Sequence, residues 1–390
     1  MRNRNYRFRV TVQSKAPSQV RIKSLWLSGM VLCITAWLLT AAPAYAKDPS
    51  GEDLLYATQF SVEVQSNGTS LITIGNQDRY LLVPENVPVP ADVPEDVTVL
   101  CQPLDCIYLA ASSAMDFYRE LGILDQVRLT STKVADWSLS QVKDALENGT
   151  MLYAGRYSTP DYELILGEGT KLAIESTMIY HSPETKETLE SLGIPVLVER
   201  SSYEPDPLGR MEWIRLYGLL AGCKDQADSF FEKQISRLKH IQQTQTGKRV
   251  VFFHISGSGY AVVRKPGDYV SRMIAMAGGE YFLGTDKDPQ DNALSTMNME
   301  MESFYEAARD ADILIYNSTI DGDIRTIDEL LGKSPLLADF RAVKEGNVWC
   351  TGRNMFQQAT GIGEMILDLS RIIQGSTDNG EELTYLHPVI

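Results

Sequence analysis

The chain has 390 residues, 36 of them Lys or Arg and 51 Asp or Glu, for a formal net charge of −15 at pH 7. So acidic a protein does not bind nucleic acid or anionic lipid through a general field, and an anionic ligand must be met by locally placed Arg. At this length one core is exceeded, and two lobes are the expected arrangement.

The first 23 residues carry seven Lys or Arg and no acid, Leu25 to Leu39 is apolar, and Ala44-Tyr45-Ala46 offers a small-x-small cleavage site. This predicts a secretory signal peptide over residues 1–46 and an extracytoplasmic protein. The alternative, a retained membrane anchor, is disfavoured because the apolar run is shorter than the ~20 residues of a span. Leu32 before Cys33 is too large for the usual lipoprotein cleavage box. Without residues 1–46, 29 basic and 51 acidic residues remain, for a charge of −22.

Residues 47–94 read as an amino-terminal β extension and connector. Phe60-Ser-Val-Glu-Val alternates, Asn67-Gly68 marks a turn, Leu71-Ile-Thr-Ile and Tyr80-Leu-Leu-Val are short strands, and Pro84 to Pro94 is irregular. From Val97 the pattern becomes strand alternating with helix: a strand at Val97–Leu100, a helix from Ala110 to Leu121, and a strand at Lys171–Ile174. A helix opened by Ser182-Pro183 and a strand at Pro195–Val198 follow. This rhythm means βαβ units and a parallel sheet, here in a first lobe over 95–207. A helix from about Leu208 to Ala221 leads out of it, within a connecting segment assigned to 208–222. The rhythm restarts after residue 245 with Val250–Ile255, Met273–Ala277, Ser303–Ala308, Ala311–Tyr316, Val348–Cys350 and a closing helix at Ile362–Ile373. That restart marks a second lobe over 223–390.

Ligands of open α/β sheets bind outside the carboxyl ends of the strands. The polar loop Glu199 to Pro207, rich in Arg, Ser and Tyr, occupies such a place. Cys101, Cys106, Cys223 and Cys350 show no CxxC or Cys/His spacing for zinc, and their disulfide state stays open. His181, His240, His254 and His387 are widely separated, so no metal site is assigned. Hydrolase-elbow, P-loop, dinucleotide and HExxH motifs are absent, which argues against a catalyst.

Ordered landmarks over about residues 95–375 carry a family resemblance. They are Tyr108-Leu-Ala-Ala-Ser-Ser-Ala with Leu121-Gly122, Asp161-Tyr-Glu-Leu-Ile-Leu before Lys171-Leu-Ala-Ile, and Leu192-Gly-Ile-Pro-Val. After these come the block from Ile194 to Gly218, Met273 to Gly279, and Glu302 to Ile315. Together they resemble the iron-siderophore and cobalamin type substrate-binding proteins of ABC importers. The family's Pro-Asp pairs are replaced by Gly169-Thr170-Lys171 and Asp310-Ala311-Asp312.

The resemblance implies an α/β fold: two Rossmann-like lobes with central parallel sheets, joined by one stiff helix, with a metal chelate in the cleft between them. The cleft residues it suggests are Trp137, Tyr157, Arg200, Ser201, Tyr203 and Arg210 from the first lobe. Tyr260, Arg264, Arg353 and Phe356 come from the second. Arg matches anionic oxygens with its two-pronged donor set, and Tyr and Trp offer flat area. Intramolecular ion pairs of Arg200 or Arg210 with Glu199, Glu204 or Glu212 are the competing reading, and Trp213 is read as packing. Glu163 and Glu302 are the expected docking points for an ABC permease and its ATPase. The expected ligand is a ferric siderophore, with heme or cobalamin as alternatives; Met178, Tyr180 or His254 would serve as heme ligands. No resident cofactor and a monomer are expected. A ligand sensor or an enzyme on the same fold are the rival classes.

Overall fold

The computed structural model describes residues 54–75, 78–239, 245–283, 295–376 and 382–390, and the backbone of 50–51. The signal-peptide expectation and His240 lie outside the described residues.

The amino-terminal sheet consists of β1 (Ser50–Gly51), β2 (Phe60–Val64), β3 (Ser70–Ile74), β4 (Asp78–Val83) and β5 (Val97–Cys101), in that order. In β2 Phe60 and Val62 are buried and Ser61 and Glu63 exposed, the period-two pattern of a half-buried strand. β5 lies parallel to β4, joined through the proline-rich connector. Val97–Cys101, expected as the first strand of the strand–helix alternation, therefore closes the extension's sheet. Val97 and Leu100 are buried while Thr98 and Cys101 are exposed, as at a sheet edge rather than in a doubly covered parallel strand.

The first lobe follows with β6 (Ile107–Leu109), α1 (Met115–Glu120), β7 (Val127–Thr130), α2 (Ser140–Glu147), β8 (Leu152–Tyr153), a hairpin of β9 (Gly155–Arg156) and β10 (Thr159–Pro160), and α3 (Tyr162–Gly167). It continues with β11 (Leu172–Ser176), α4 (Pro183–Ser191) and β12 (Val196–Glu199). The five main strands are all parallel, in the order β12-β11-β6-β7-β8. The helix expected from Ala110 begins only at Met115, because the N–H groups of Ala110 and Ala111 donate to Ile174 O and prolong the sheet edge.

α5 (Pro207–Leu220) joins the lobes and packs on α6 (Lys224–Leu238). Asp206 caps α5 by accepting the Leu208 N–H at 2.9 Å, and Pro207 occupies the first turn, where no N–H is needed. The helix is buried almost all round. Gly218 allows the close pairing with α6: a Cβ there would lie 2.4 Å from Ala227 Cβ.

The second lobe has β13 (Arg249–Ile255), β14 (Ala261–Arg264), α7 (Tyr269–Met276), β15 (Glu280–Tyr281), β16 (Thr296–Met299), α8 (Met301–Ala308), β17 (Ile313–Tyr316) and α9 (Ser318–Asp321). Then come α10 (Ile327–Lys333), α11 (Arg341–Glu345), β18 (Val348–Thr351), α12 (Ile362–Gln374) and β19 (Leu386–Pro388). The sheet runs β16-β14-β13-β17-β18-β19, with β15 beside β13. Its centre, β13-β17-β18, is parallel, while β14, β16 and β19 are antiparallel additions.

Strand alternation sorts the core into layers. Leu172 and Ile174 face a central cluster that also takes Phe252, Ile315, Trp213 and Met365. Ala173, Tyr108 and Val198 face an outer layer of the first lobe, and Val251, Phe253 and Tyr316 an outer layer of the second. The central cluster thus runs through the interlobe helix from the amino-terminal sheet to the second lobe.

Candidate functional site

The loops at the carboxyl edges of both sheets converge. Gln357, in the loop after β18, accepts from Ser138 N and Oγ at 2.6 Å and donates to Asp136 O at 2.7 Å, in the loop after β7. Behind this contact the fully buried Asp116 of α1 accepts from Thr360 N at 2.8 Å and Thr360 Oγ1 at 2.5 Å, and from Arg119 Nε at 2.7 Å.

Four side chains from the interlobe helix and the second lobe gather nearby. The Arg210 guanidinium of α5 lies 4.2 Å over the ring of Tyr269, and Arg264 at the end of β14 lies 6.0 Å from the same ring. Arg264 is also 5.1 Å from the Phe356 ring and forms a 3.5 Å ion pair with Asp268. Arg210 and Arg264 are only 6% and 9% exposed, and Arg210 Nε is buried with no acceptor among the described residues. Asp268 caps α7 through the Val270 N–H; burial raises its carboxyl above the usual range, against the pull of Arg264 and the cap. Glu199, at the end of β12, is likewise raised by burial, against its bond from the Ser201 N–H at 2.7 Å and the charge of Arg210. The pair of guanidinium groups is therefore matched by two acids whose negative charge burial disfavours.

Arg200 is engaged differently. It donates to Gln59 Oε1 of the extension and to Tyr180 Oη, each at 3.2 Å, and its guanidinium lies 4.6 Å over the Tyr203 ring. Of the acids named as competitors for Arg200 and Arg210, Glu204 is occupied by Thr58, Gln59 and Trp213, and Glu212 by the backbone of residues 55–57 and Arg215, while Glu199 lies close enough to Arg210 to feel its charge. Ser201 is buried, and its hydroxyl finds no hydrogen-bond partner among the described residues.

The remaining sequence candidates scatter. Trp137 is 2% exposed and gives its indole N–H to Thr132 O at 3.2 Å, so it is built into the core, and the neighbouring Ser138 makes the interlobe contact instead. Tyr157 sits at the turn of the β9–β10 hairpin, half-buried on the outer layer. Tyr260 closes the tight Ser256–Tyr260 turn after β13. Arg353 is exposed after β18. Trp213 is fully buried, as its reading as packing requires. His254 is nearly buried in β13, whereas Met178 and Tyr180, just after β11, are 48% and 47% exposed.

Glu163 and Glu302 occupy corresponding places. Each is the exposed second residue of a short helix, α3 or α8. Each helix leads into a parallel strand, β11 or β17, that pairs with the first strand of its lobe's sheet.

Sequence reasoning missed Tyr269 and Asp268, although Pro266-Gly267-Asp268 is a turn followed by a helix cap. It also missed Gln357, which carries no local signal. Glu175 was missed as well, although an acid closing the apolar run Leu172-Ala-Ile is a local signal. It is buried, neither oxygen has a hydrogen-bond partner among the described residues, and burial pushes its carboxyl up to about 8.

The Periplasmic binding protein family matches residues 112–354. An uncharacterized lipoprotein of Methanocaldococcus jannaschii is 24% identical over 317 residues, covering 78% of this chain and 74% of its own. A periplasmic binding protein from Veillonella parvula shares the fold with a TM-score of 0.58 at 16% identity, over 81% of this chain and 98% of its own. A protein of the ABC-type Fe3+-hydroxamate transport system of Saccharomonospora viridis does so with a TM-score of 0.52 at 19% identity, over 70% and 93%. The match over 112–354 takes in more than half the chain and both lobes, so this protein belongs to the Periplasmic binding protein family, with the helix-joined two-lobed fold of substrate-binding proteins that serve ABC importers.

Proposed function

We propose that this chain captures an anionic ferric chelate, a siderophore, between its lobes and delivers it to an ABC permease and its ATPase. The carrying observation is the pairing of Arg210 and Arg264 around Tyr269 and Phe356 where the lobes meet, with Arg210 Nε lacking an acceptor among the described residues. Guanidinium groups suit hydroxamate, catecholate and carboxylate oxygens, and the rings suit a chelate's flat faces. Glu163 and Glu302, equivalent in the two lobes, are the proposed permease contacts. The protein acts outside the cytoplasm as a monomer. We place its export on residues 1–46, and the intact mass of the mature chain distinguishes cleavage before Lys47 from lipidation at Cys33.

The test is a tryptophan-fluorescence titration with ferric hydroxamate, ferric catecholate, hemin and cobalamin. A ferric siderophore should bind, and Arg210→Ala, Arg264→Ala or Arg353→Ala should each weaken it by about 1–3 kcal/mol where the Arg is a desolvated contact. Wild-type affinity in all three variants would overturn the cleft assignment. Exposed Met178 and Tyr180 favour heme as the second reading. In that case hemin alone binds, and Tyr180→Phe or Met178→Ala alters its Soret band.

A further inference from the structure

Cys350, His387 and Asp323 come together on the second lobe. Cys350 of β18 and His387 of β19 are direct partners in the antiparallel ladder. Asp323 reaches them from the turn after α9. His387 Nε2 lies 2.7 Å from Asp323 Oδ1, Cys350 Sγ lies 3.8 Å from the same oxygen, and the three donor atoms are all within 4.8 Å of one another. The thiol is fully buried, while the His387 and Asp323 side chains are 22% and 30% exposed, so the sulfur forms the floor and the other two the mouth.

Thiolate, imidazole and carboxylate form a borderline donor set that suits zinc. Bond lengths of about 2.0–2.3 Å around a tetrahedral ion put its ligand atoms about 3.3–3.8 Å apart. The Sγ–Oδ1 separation already has that value. The Nε2–Oδ1 pair must open by about half an ångström, exchanging one hydrogen bond for two metal bonds. The surroundings supply outer support. His387 Nδ1 lies 3.2 Å from Pro388 O, a bond that leaves Nε2 free for an ion, and Arg325 holds the other Asp323 oxygen at 2.8 Å. Burial pushes the Cys350 thiol up to about 11, with the Asp323 charge adding to it, so an ion must displace a proton here.

We propose that Asp323, Cys350 and His387 form a binding site for a divalent transition ion of the zinc class, with a fourth position open to water. On binding, the Cys350 S–H bond breaks, an S–metal bond forms and the proton passes to the buffer. His387 enters as neutral imidazole through Nε2, and Asp323 as carboxylate. No electron moves.

Full-length mature protein stripped of metal should take up a single equivalent of Co2+ with a sulfur-to-cobalt charge-transfer band, lost on adding Zn2+. Cys350→Ser should abolish the band, and Asp323→Asn, at an exposed position that leaves the core intact, should weaken Co2+ by at least about tenfold. Siderophore binding in these variants should not change, which separates this site from the cleft. Absence of the band at one equivalent would overturn the proposal. So would a band that survives in Cys350→Ser, since it would belong to Cys101, Cys106 or Cys223.

Discussion

Tyr56 gives its backbone N–H to the Glu212 carboxylate at 2.8 Å, and Leu55 and Ala57 on either side donate to the same group at 2.9 and 2.8 Å. Three successive amides thus close on one buried acid of the interlobe helix. Glu204 repeats the arrangement for Thr58, Gln59 and the Trp213 indole. Gly209 permits the contact, since a Cβ there would lie 2.9 Å from Tyr56 O. The amino-terminal extension is therefore a brace along the connector.

Glu212→Ala strands three backbone donors and removes one of the two acids paired with Arg215, which keeps Asp228 at 2.8 Å. Hydrogen bonds to charged groups contribute about 1.5–3 kcal/mol each, partly shared, so a total loss of about 3 kcal/mol or more is expected. Glu212→Gln should retain part of it. Urea denaturation measures both, and a loss below about 1 kcal/mol would reduce the brace to a passive contact.

The same brace, with the Asp116–Thr360 and Ser138–Gln357 bonds, restrains the lobes. A buried helix resists bending more than extended strands do, so only a small closure on ligand binding is expected. Small-angle scattering of free and loaded protein should nearly superimpose. Asp116→Ala should raise amide exchange over residues 354–361. A large rotation in the wild type would contradict the stiff-connector account.

Glu175 makes stability depend on pH. Its folded-state value of about 8 lies above the ordinary 4.5, so the folded chain keeps a proton that the unfolded chain releases. The contribution is full below the unfolded value, falls as pH rises, and is gone above the folded one, with a slope of up to about 1.4 kcal/mol per pH unit. Glu199 and Asp268 are shifted the same way. Glu175→Gln should therefore flatten the decline between about pH 5 and pH 8 without removing it. Thermal melts across that range decide the matter, and a wild-type slope in the variant would clear Glu175.

Charge reversal tests delivery. Glu163→Lys or Glu302→Lys should slow uptake into membrane vesicles while ligand affinity in solution is unchanged. A like charge against a basic pocket costs several kcal/mol, so the double reversal should nearly abolish transport. Normal uptake by the double variant would remove the docking role from both residues.

Local pattern alone determined the strand–helix alternation, the interlobe helix from about Leu208 to Ala221, and the burial of Trp213. Each follows from periodicity or capping within one turn or strand, and such signals need no distant partner. Which neighbour β5 pairs with, and that Trp137 turns into the core while Ser138 makes the interlobe contact, were settled only by tertiary structure. So were the meeting of Arg210 with Tyr269 and the placing of Cys350 opposite His387. These are contacts between segments far apart in the chain, set by strand order and packing of whole layers. Residue spacing along the chain does not encode them.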